Sequence, residues 1–464
     1  MTDRTDCSEL DRHRELNTDE TAVRKLRDLV TEARVEFVHC QAVTLTGRVV
    51  GKVVPAAHLT RTIETGVRAH RAILADMRTD VNGTLLGGGC EAREYTAMPD
   101  LDTFAVLPWD TRAGRFFCRL YEPAHLPDGV GGGPLATDVR GNLRRRHTAF
   151  TARTGLELRS GCEPEASWSG PHLDAARPPI SPIHHIDSMD AFRPVYQRLI
   201  TYGQALGLDM IEANHEGDPG QLEPNCMFDR ADRTADNVIV HRQICRQVAR
   251  ELGLTVNFMP KPADHHTGNS CQHNLSLWRD GTNVLADPGA RGLRLSEIGR
   301  HALGGILTHA AAATAVLGPT VNSYKRFVQP SPFTPSRADW GRDDRTCAVR
   351  LPDGDRLEVR IPDAMVNPYL SHAVLLAAIE DGLKNRIDPG PARGTSDPRR
   401  DTRFPELPTT LDEALRAFTA DPVITGGLGS EISELFRAIK ADEWTRFCRA
   451  VTDWEQTAYA DQGC

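Results

Sequence analysis

Two glutamates standing two residues apart, Glu163 and Glu165 in the string GCEPE, place the strongest condition on how this chain folds. If the string is a strand, side chains two apart leave the same face, so two like charges are held side by side. Partly buried, such a pair is costly unless a cation neutralises it. A divalent metal is the simplest remedy. Glu216 and Glu223 bracket a turn formed by Gly217, Asp218, Pro219 and Gly220 that could fold them toward a shared point, and Glu358 in the strand-like LEVRIP adds a fifth carboxylate. Hard oxygen donors with few thiols select Mg²⁺ or Mn²⁺ over zinc. Any one of these glutamates alone reads as a solvated surface charge, so their weight depends on the strings around them.

Those strings alternate between strand and helix patterns. Residues 1–20 are dense in charge and are expected to be frayed, with no apolar core of a signal peptide. TAVRKLRDLVTEARV puts Val23, Leu26, Leu29 and Val30 on one helical face, and VEFVHCQAVTLTGRVVGKVVP alternates as a hairpin would. The glycine-rich NGTLLGGGCEAR reads as a loop without the lysine of a phosphate-binding loop. A break at LPDGVGGGPL suggests a domain boundary, giving units at 21–118 and 130–464. In residues 236–252, Val240, Ile244, Val248 and Leu252 make an apolar stripe ended by Gly253, which predicts a core helix. NRIDPGPARGTSDPRRDTRFPELP is expected as an exposed loop, followed by two closing helices. A net charge of −8 gives no reason to expect nucleic-acid binding. No apolar run approaches the length that spans a bilayer, so a cytoplasmic location is expected. The eleven cysteines lack CxxC pairs and are expected to be reduced thiols. The pairs His184–His185 and His265–His266 lack the spacing that aims two rings at one ion.

From MPDLDTFAVLPWD to VTDWEQTAY the chain carries GCEPE, IEANHEGDPGQLE, NFMPKP, GNSCQHNLSLW, NSYKR, RTCAVR and RLEVRIPDAMVNPYL in that order. In this series it resembles the glutamine synthetase family. The resemblance implies an α+β fold, with a small N-terminal β-grasp domain and a large catalytic domain whose antiparallel sheet is flanked by helices. It implies ATP and two or more Mg²⁺ or Mn²⁺ ions, one held by Glu165, Glu216 and Glu223 and the other by Glu163, Glu358 and the residue at 272. Arg345 and Arg350 match the phosphate-contacting arginines, Arg345 counting with Arg326 and Glu358 among the catalytic set. Arg326 matches the arginine that grips the α-carboxylate of glutamate. Arg356 and Arg360 flank Glu358 on a segment resembling the one that holds nucleotide and substrate. Ser276 and Lys261 fit the nucleotide side, and Gly268 with Thr267 the substrate side.

Three departures from the family pattern bear on function. Where the family has His-x-His, this chain has Gln272 and Asn274, with His273 one place out of register. A one-residue shift in a strand turns a side chain to the other face, so His273 is not expected to reach the metal, whereas a Gln amide oxygen still ligates Mg²⁺. The family's Asn-Gly-Ser-Gly loop reads TGNS, with Thr267 at the Asn position. The flap after NSYKR reads Ser331, Pro332, Phe333, Thr334, Pro335, so Phe333 replaces the glutamate thought to bind and deprotonate ammonium. An aromatic ring suits an organic amine instead. The stretch Asn385–Leu407 has no tyrosine for regulatory adenylylation.

The resemblance therefore implies an ATP-dependent carboxylate–amine ligase that makes a γ-glutamylamide from glutamate and an organic amine through an acyl phosphate, acting as a homo-oligomer in a ring or stacked rings. Two alternatives stand beside it: a catalytically inactive scaffold or sensor, and an ammonia-dependent glutamine synthetase.

Overall fold

The computed structural model describes residues 7–127, 129–171, 173, 181–287, 289, 294–328, 333–394 and 401–462. Ser331 and Pro332 of the flap lie outside these described residues.

The expected hairpin forms: Phe37–Val43 pairs antiparallel with Val49–Pro55. On its other side Phe37–Val43 runs parallel to Asp110–Tyr121, which continues into Glu94–Pro99 and Val67–His70, while Ala105–Leu107 pairs off the main path. Asp19 caps the helix Glu20–Glu32, and Leu26 from that helix packs with Val38, Leu59, Ile63 and Phe116. The start of the chain is not frayed throughout. Ser8 caps a helix over Glu9–Leu16, whose Leu10 and His13 are buried, His13 bonding the Tyr121 hydroxyl and the Pro99 carbonyl. Two buried positions among many charges give too sparse a periodicity to read, yet they suffice once a β-sheet stands beside them.

Two further sheets form the larger part. One has seven strands in the order Asp229–Arg230, Glu157–Pro164, Cys271–Arg279, Leu357–Val359, Val349–Leu351, Trp340–Arg342, with Thr282–Asn283 paired to Cys271–Arg279. All pairs are antiparallel except Trp340–Arg342 with Val349–Leu351. The other runs Thr255–Asn257, Ala166–Ser169, Gln221–Cys226, Met210–His215, antiparallel throughout. Helices Ala231–Leu252 and Pro368–Asn385 cover the sheets. The first begins five residues before its expected start and ends at Gly253 in the left-handed region, φ 65°, as the stripe requires. The fold is α+β.

The C-terminal region is more broken than expected. Asp421 caps Pro422–Leu428, Gly429 precedes Ser430–Arg449 and Thr452 caps Asp453–Tyr459, so four helices stand where two were predicted. The stretch expected as an exposed loop is partly pinned: buried Arg393 pairs with Asp339 and Asp344 at 2.7 Å each.

The glycine-rich break is a series of turns, but one apolar core runs across it, from Ala42 and Phe117 to Leu143 and Leu375. The seam is also bridged by polar groups. Buried Arg140 reaches Asp100 and Asp236, and the Asn367 amide donates to the Thr44 and Leu45 carbonyls. Units at 21–118 and 130–464 are thus proposed as sequence modules sharing one interior. No helix among the described residues is long and apolar enough to cross a membrane.

Candidate active site

Strand register collects the predicted carboxylates. Glu163 stands opposite Gln272, Asn274 opposite Glu358, and Glu358 opposite Arg350, so these side chains share one face of the seven-stranded sheet. Glu165 follows directly, between the Glu157–Pro164 and Ala166–Ser169 strands, and links the two sheets; the Ser270 backbone N–H donates to it at 2.6 Å and the Gln221 amide at 2.8 Å. The turn after Met210–His215 places Glu216 and Glu223 against this edge, as the glycine-rich bracket suggested. Asn225 donates to Glu223 at 2.9 Å.

The carboxylates feel one another's charge, although among the described residues no three of their oxygens lie within 4.8 Å of one another. Burial, then the charge of Glu358, pushes the Glu163 carboxyl up to about 7. Burial, then Glu165 and Glu163, takes Glu216 to about 7 as well. Glu223 is driven well above its ordinary value by burial and then by Glu163, Glu165 and Glu216, and burial also raises Glu165. A set of oxygen donors that cannot all ionise together fits a divalent cation of the Mg²⁺ class.

The other face of the same strands is neutral. His273 is fully buried, pairs in register with Cys162, and stacks on His372 with centroids 4.6 Å apart. Nδ1 of His273 donates to the Cys271 carbonyl at 2.8 Å, and Nε2 takes the Ser371 hydroxyl at 2.8 Å. Donor atoms of Cys162, Cys271 and His273 lie within 4.8 Å of one another. The ring nevertheless has both nitrogens committed, and burial holds it well below its ordinary pKa, so it is a neutral core residue. No bulge turns it toward the carboxylates.

Guanidinium groups surround the acidic cluster. Arg350 donates to Glu358 at 2.6 Å and to Asp343, Arg360 donates to the other Glu358 oxygen, and Arg356 donates to the side-chain amide oxygen of Asn274 at 3.0 Å. Asn274 in turn donates to Glu163 at 2.8 Å, so it links an arginine to a carboxylate. Arg345 is exposed on the loop after Trp340–Arg342, near enough to Glu216 to oppose its raised pKa. Arg393 braces that loop through Asp344 and Thr346. Arg326 is buried and donates to the Ile361 and Arg360 carbonyls.

The TGNS loop is tied to the carboxylate turn. One Asp218 oxygen accepts from the Thr267 N–H at 2.7 Å, the Thr267 hydroxyl at 2.8 Å and the Gly268 N–H at 3.2 Å. Gly268 has φ +104°, and a Cβ there would stand 2.3 Å from the Pro260 carbonyl oxygen and 3.5 Å from the stem of Arg326. Gln221 was not predicted: its amide nitrogen donates to Glu165, to the Gly268 carbonyl and to Asn269. The GQLE string offered no signal to separate it from its neighbours. Lys261, expected beside Ser276 on the nucleotide side, lies instead at the Thr267–Gly268 end, its ammonium donating to the His266 carbonyl near Asp218. The chain leaves the Thr255–Asn257 edge strand there, whereas Ser276 lies far along the next strand. Beside Ser276 the structure adds an aromatic platform: Phe228 stacks with Trp278 at 5.7 Å, Arg159 covers Trp278 at 4.4 Å, and the indole N–H donates to the Ser276 hydroxyl. His265 and His266 pack edge to face, with His266 3.8 Å from Asp218, and do not face one ion together.

Residues 137–459 match the family described as "Glutamine synthetase, catalytic domain". The chain belongs to the glutamine synthetase family. It is 34% identical over 391 residues to the glutamine synthetase of Mycobacterium tuberculosis (strain ATCC 25618 / H37Rv), covering 79% of this chain and 85% of that one. It is 31% identical over 457 residues to the glutamate–methylamine ligase of Methyloversatilis universalis, covering 94% and 98%. A solved structure of GmaS in complex with ADP superposes with TM-score 0.84 at 30% identity, covering 94% of this chain and 99% of that one. Ligand-free GmaS gives 0.81 at 31% identity, covering 93% and 98%. As a member of this glutamine synthetase family the chain is an ATP-dependent ligase.

Proposed function

We propose that this ligase joins the γ-carboxylate of glutamate to an organic amine, using ATP through an acyl phosphate. The observation that carries the choice of nucleophile is the flap: Phe333 stands where the family has a carboxylate, its backbone carbonyl accepting from Arg360 beside Glu358, its ring half exposed. A phenyl ring cannot deprotonate ammonium, and it gains by covering a carbon chain, about 0.8 kcal/mol per methylene. Likeness to a glutamate–methylamine ligase over nearly the whole chain supports the same reading.

In this reading Glu165, Glu216 and Glu223 hold one divalent cation, and Glu163, Glu358 and Gln272 a second. These ions would neutralise charge on the transferred phosphoryl group. The chain's own residues do the rest. Phe228 and Trp278 offer flat faces to the base of ATP, next to Ser276 and Arg356. Arg345 and Arg350 place guanidinium donors on the phosphate side, where charge develops during transfer. Arg326, with Gly268 and Thr267, receives the amino acid, and Arg360 stands between the acid and the flap. Lys261 belongs with this acid side. A ring of copies, in which one subunit's N-terminal sheet closes its neighbour's site, fits the openness of the Phe333 and Arg345 side.

Phosphate release from ATP, measured with glutamate and a panel of amines including ammonium, tests the proposal. Alkylamines are expected to exceed ammonium by about tenfold or more in kcat/KM, since about 1.4 kcal/mol is a factor of ten. Phe333→Glu should move preference back toward ammonium. Equal use of all amines in both proteins would overturn the choice of nucleophile, and no turnover with any amine would favour a scaffold.

A further inference from the structure

Away from the carboxylates, a cavity of about 880 Å³ opens at the seam between the N-terminal sheet and the helix Ala231–Leu252. Its floor is apolar, made by Val49, Val50, Leu107, Trp109, Leu254 and Val256. Its rim is cationic. Arg48 comes from the hairpin, while Arg246 and Arg250, one helical turn apart, come from the helix. Among the described residues none of these three arginines forms an ion pair; Arg250 donates to the neutral Gln247, and Arg246 covers the Phe258 ring at 5.3 Å. The carboxylate lining the cavity, Asp76, is engaged by Thr46 and Arg78.

All three arginines are exposed, and a solvated guanidinium finds its own counter-ions, so what singles them out is their convergence on one cleft. A second feature marks the cleft as built. Gln41, 7% exposed, lines it, and its side-chain oxygen has no hydrogen-bond partner. That oxygen is closed off from solvent, so a ligand in the cleft would use the amide as an N–H donor. Three guanidiniums without an ion pair, converging on one cleft beside an indole wall, suit a ligand with two or more anionic groups.

We propose that this seam binds a small polyanion, a phosphate- or carboxylate-bearing metabolite, at a site separate from the catalytic centre. The site would draw the hairpin and the helix together. That same helix, through Arg242, holds the Ala364 and Val366 carbonyls just beyond the Glu358 strand, so an occupant would stiffen the support of the active site.

The test follows tryptophan fluorescence of the full chain with MgADP saturating, so that phosphate-binding groups of the catalytic centre are occupied. Inorganic pyrophosphate and citrate are titrated separately, to distinguish phosphate from carboxylate chemistry. The expected result is a saturable change with at least one of them. Arg48→Ala with Arg246→Ala should weaken it by about tenfold or more in Kd. Trp109→Phe should lose the optical signal while calorimetry still detects binding, and Glu223→Gln should bind as the wild type does. If the double variant fails to fold, Arg250→Ala on the exposed end of the helix should still weaken binding. The proposal is overturned if neither ligand saturates, if the arginine variants bind unchanged, or if Glu223→Gln loses binding in parallel. It is equally overturned if the wild type does not bind and the double variant elutes as a smaller species, which would assign the arginines to a second copy of the chain.

Discussion

On one side of the central sheet Glu163, Gln272, Asn274 and Glu358 gather charge; on the other, one residue away along the same strands, Cys162, Cys271 and His273 lie in a neutral layer. The second layer holds the better ligands for a soft or borderline metal, yet its histidine is spent on Ser371 and a backbone carbonyl. The first layer holds only oxygen donors, and burial, then the charge of Glu358, raises the Glu163 carboxyl. Residue type is therefore subordinate to strand parity. A histidine facing the core builds the fold, and a glutamine faces the cleft, where the proposed second ion would sit.

The sharpest way to break this comparison is Glu223→Gln, which removes charge at nearly constant volume. Activity should fall on the order of a hundredfold or more, because charge stabilisation of the transferred group depends on the ion it helps hold. The metal-free variant should be at least as stable as wild type in urea, since a like charge has gone. Wild-type turnover at saturating Mg²⁺ would remove Glu223 from the site.

The opposite face is probed by His273→Ala. It deletes a buried ring with two hydrogen bonds, so denaturation should show a loss of about 3 kcal/mol. Mg²⁺ affinity of the folded protein, measured by calorimetry, should stay within about twofold, well under the 1.4 kcal/mol of a tenfold change. A large loss of metal binding with little loss of stability would reverse the assignment of the two faces.

A pH series distinguishes the layers without mutation. Glu163 and Glu216 move from an ordinary 4.5 to about 7 in the metal-free fold, so the folded chain binds their protons more tightly than the unfolded chain does. Their contribution to stability is complete below about 4.5 and is lost as pH rises through about 7. With EDTA, Tm should therefore fall across that window, and Mg²⁺ should restore it most at the alkaline end. A flat profile with EDTA would show that neither burial nor neighbouring charge raises these carboxyls.

Gln272→His should have the smallest effect. Imidazole is accepted by Mn²⁺ more readily than by Mg²⁺, so Mn²⁺ binding at the weaker site should tighten by about tenfold and Mg²⁺ binding much less. No change in calorimetry would mean that Gln272 does not reach an ion.

Parity is also what made much of the site legible in the sequence. Alternation in GCEPE and LEVRIP and the turn between Glu216 and Glu223 gave each carboxylate its local facing, and the resemblance to the family is what grouped Glu163, Glu216, Glu223 and Glu358 as one set. The hairpin and the Ala231–Leu252 helix were readable from their own local periodicity. Gln221 was not, because its three partners come from segments about fifty residues away in sequence. Lys261 was assigned to the nucleotide end because a motif string gives order and not direction. The helix at Glu9–Leu16 and the burial of Arg393 were hidden by their charged surroundings; each depends on a distant surface, the sheet in one case and Asp339 in the other.

Gly268 sets a limit on anyone who would redesign the proposed acid pocket. With its backbone at φ +104° and a carbonyl oxygen 2.3 Å from where a methyl would stand, the position admits no side chain unless that backbone moves. Diversifying that loop would yield misfolded clones at one position and informative ones at its neighbour, Thr267, whose hydroxyl is held by Asp218. A library aimed at a longer or shorter acid should leave 268 fixed and vary 267 together with 218, treating the pair as one letter of the alphabet.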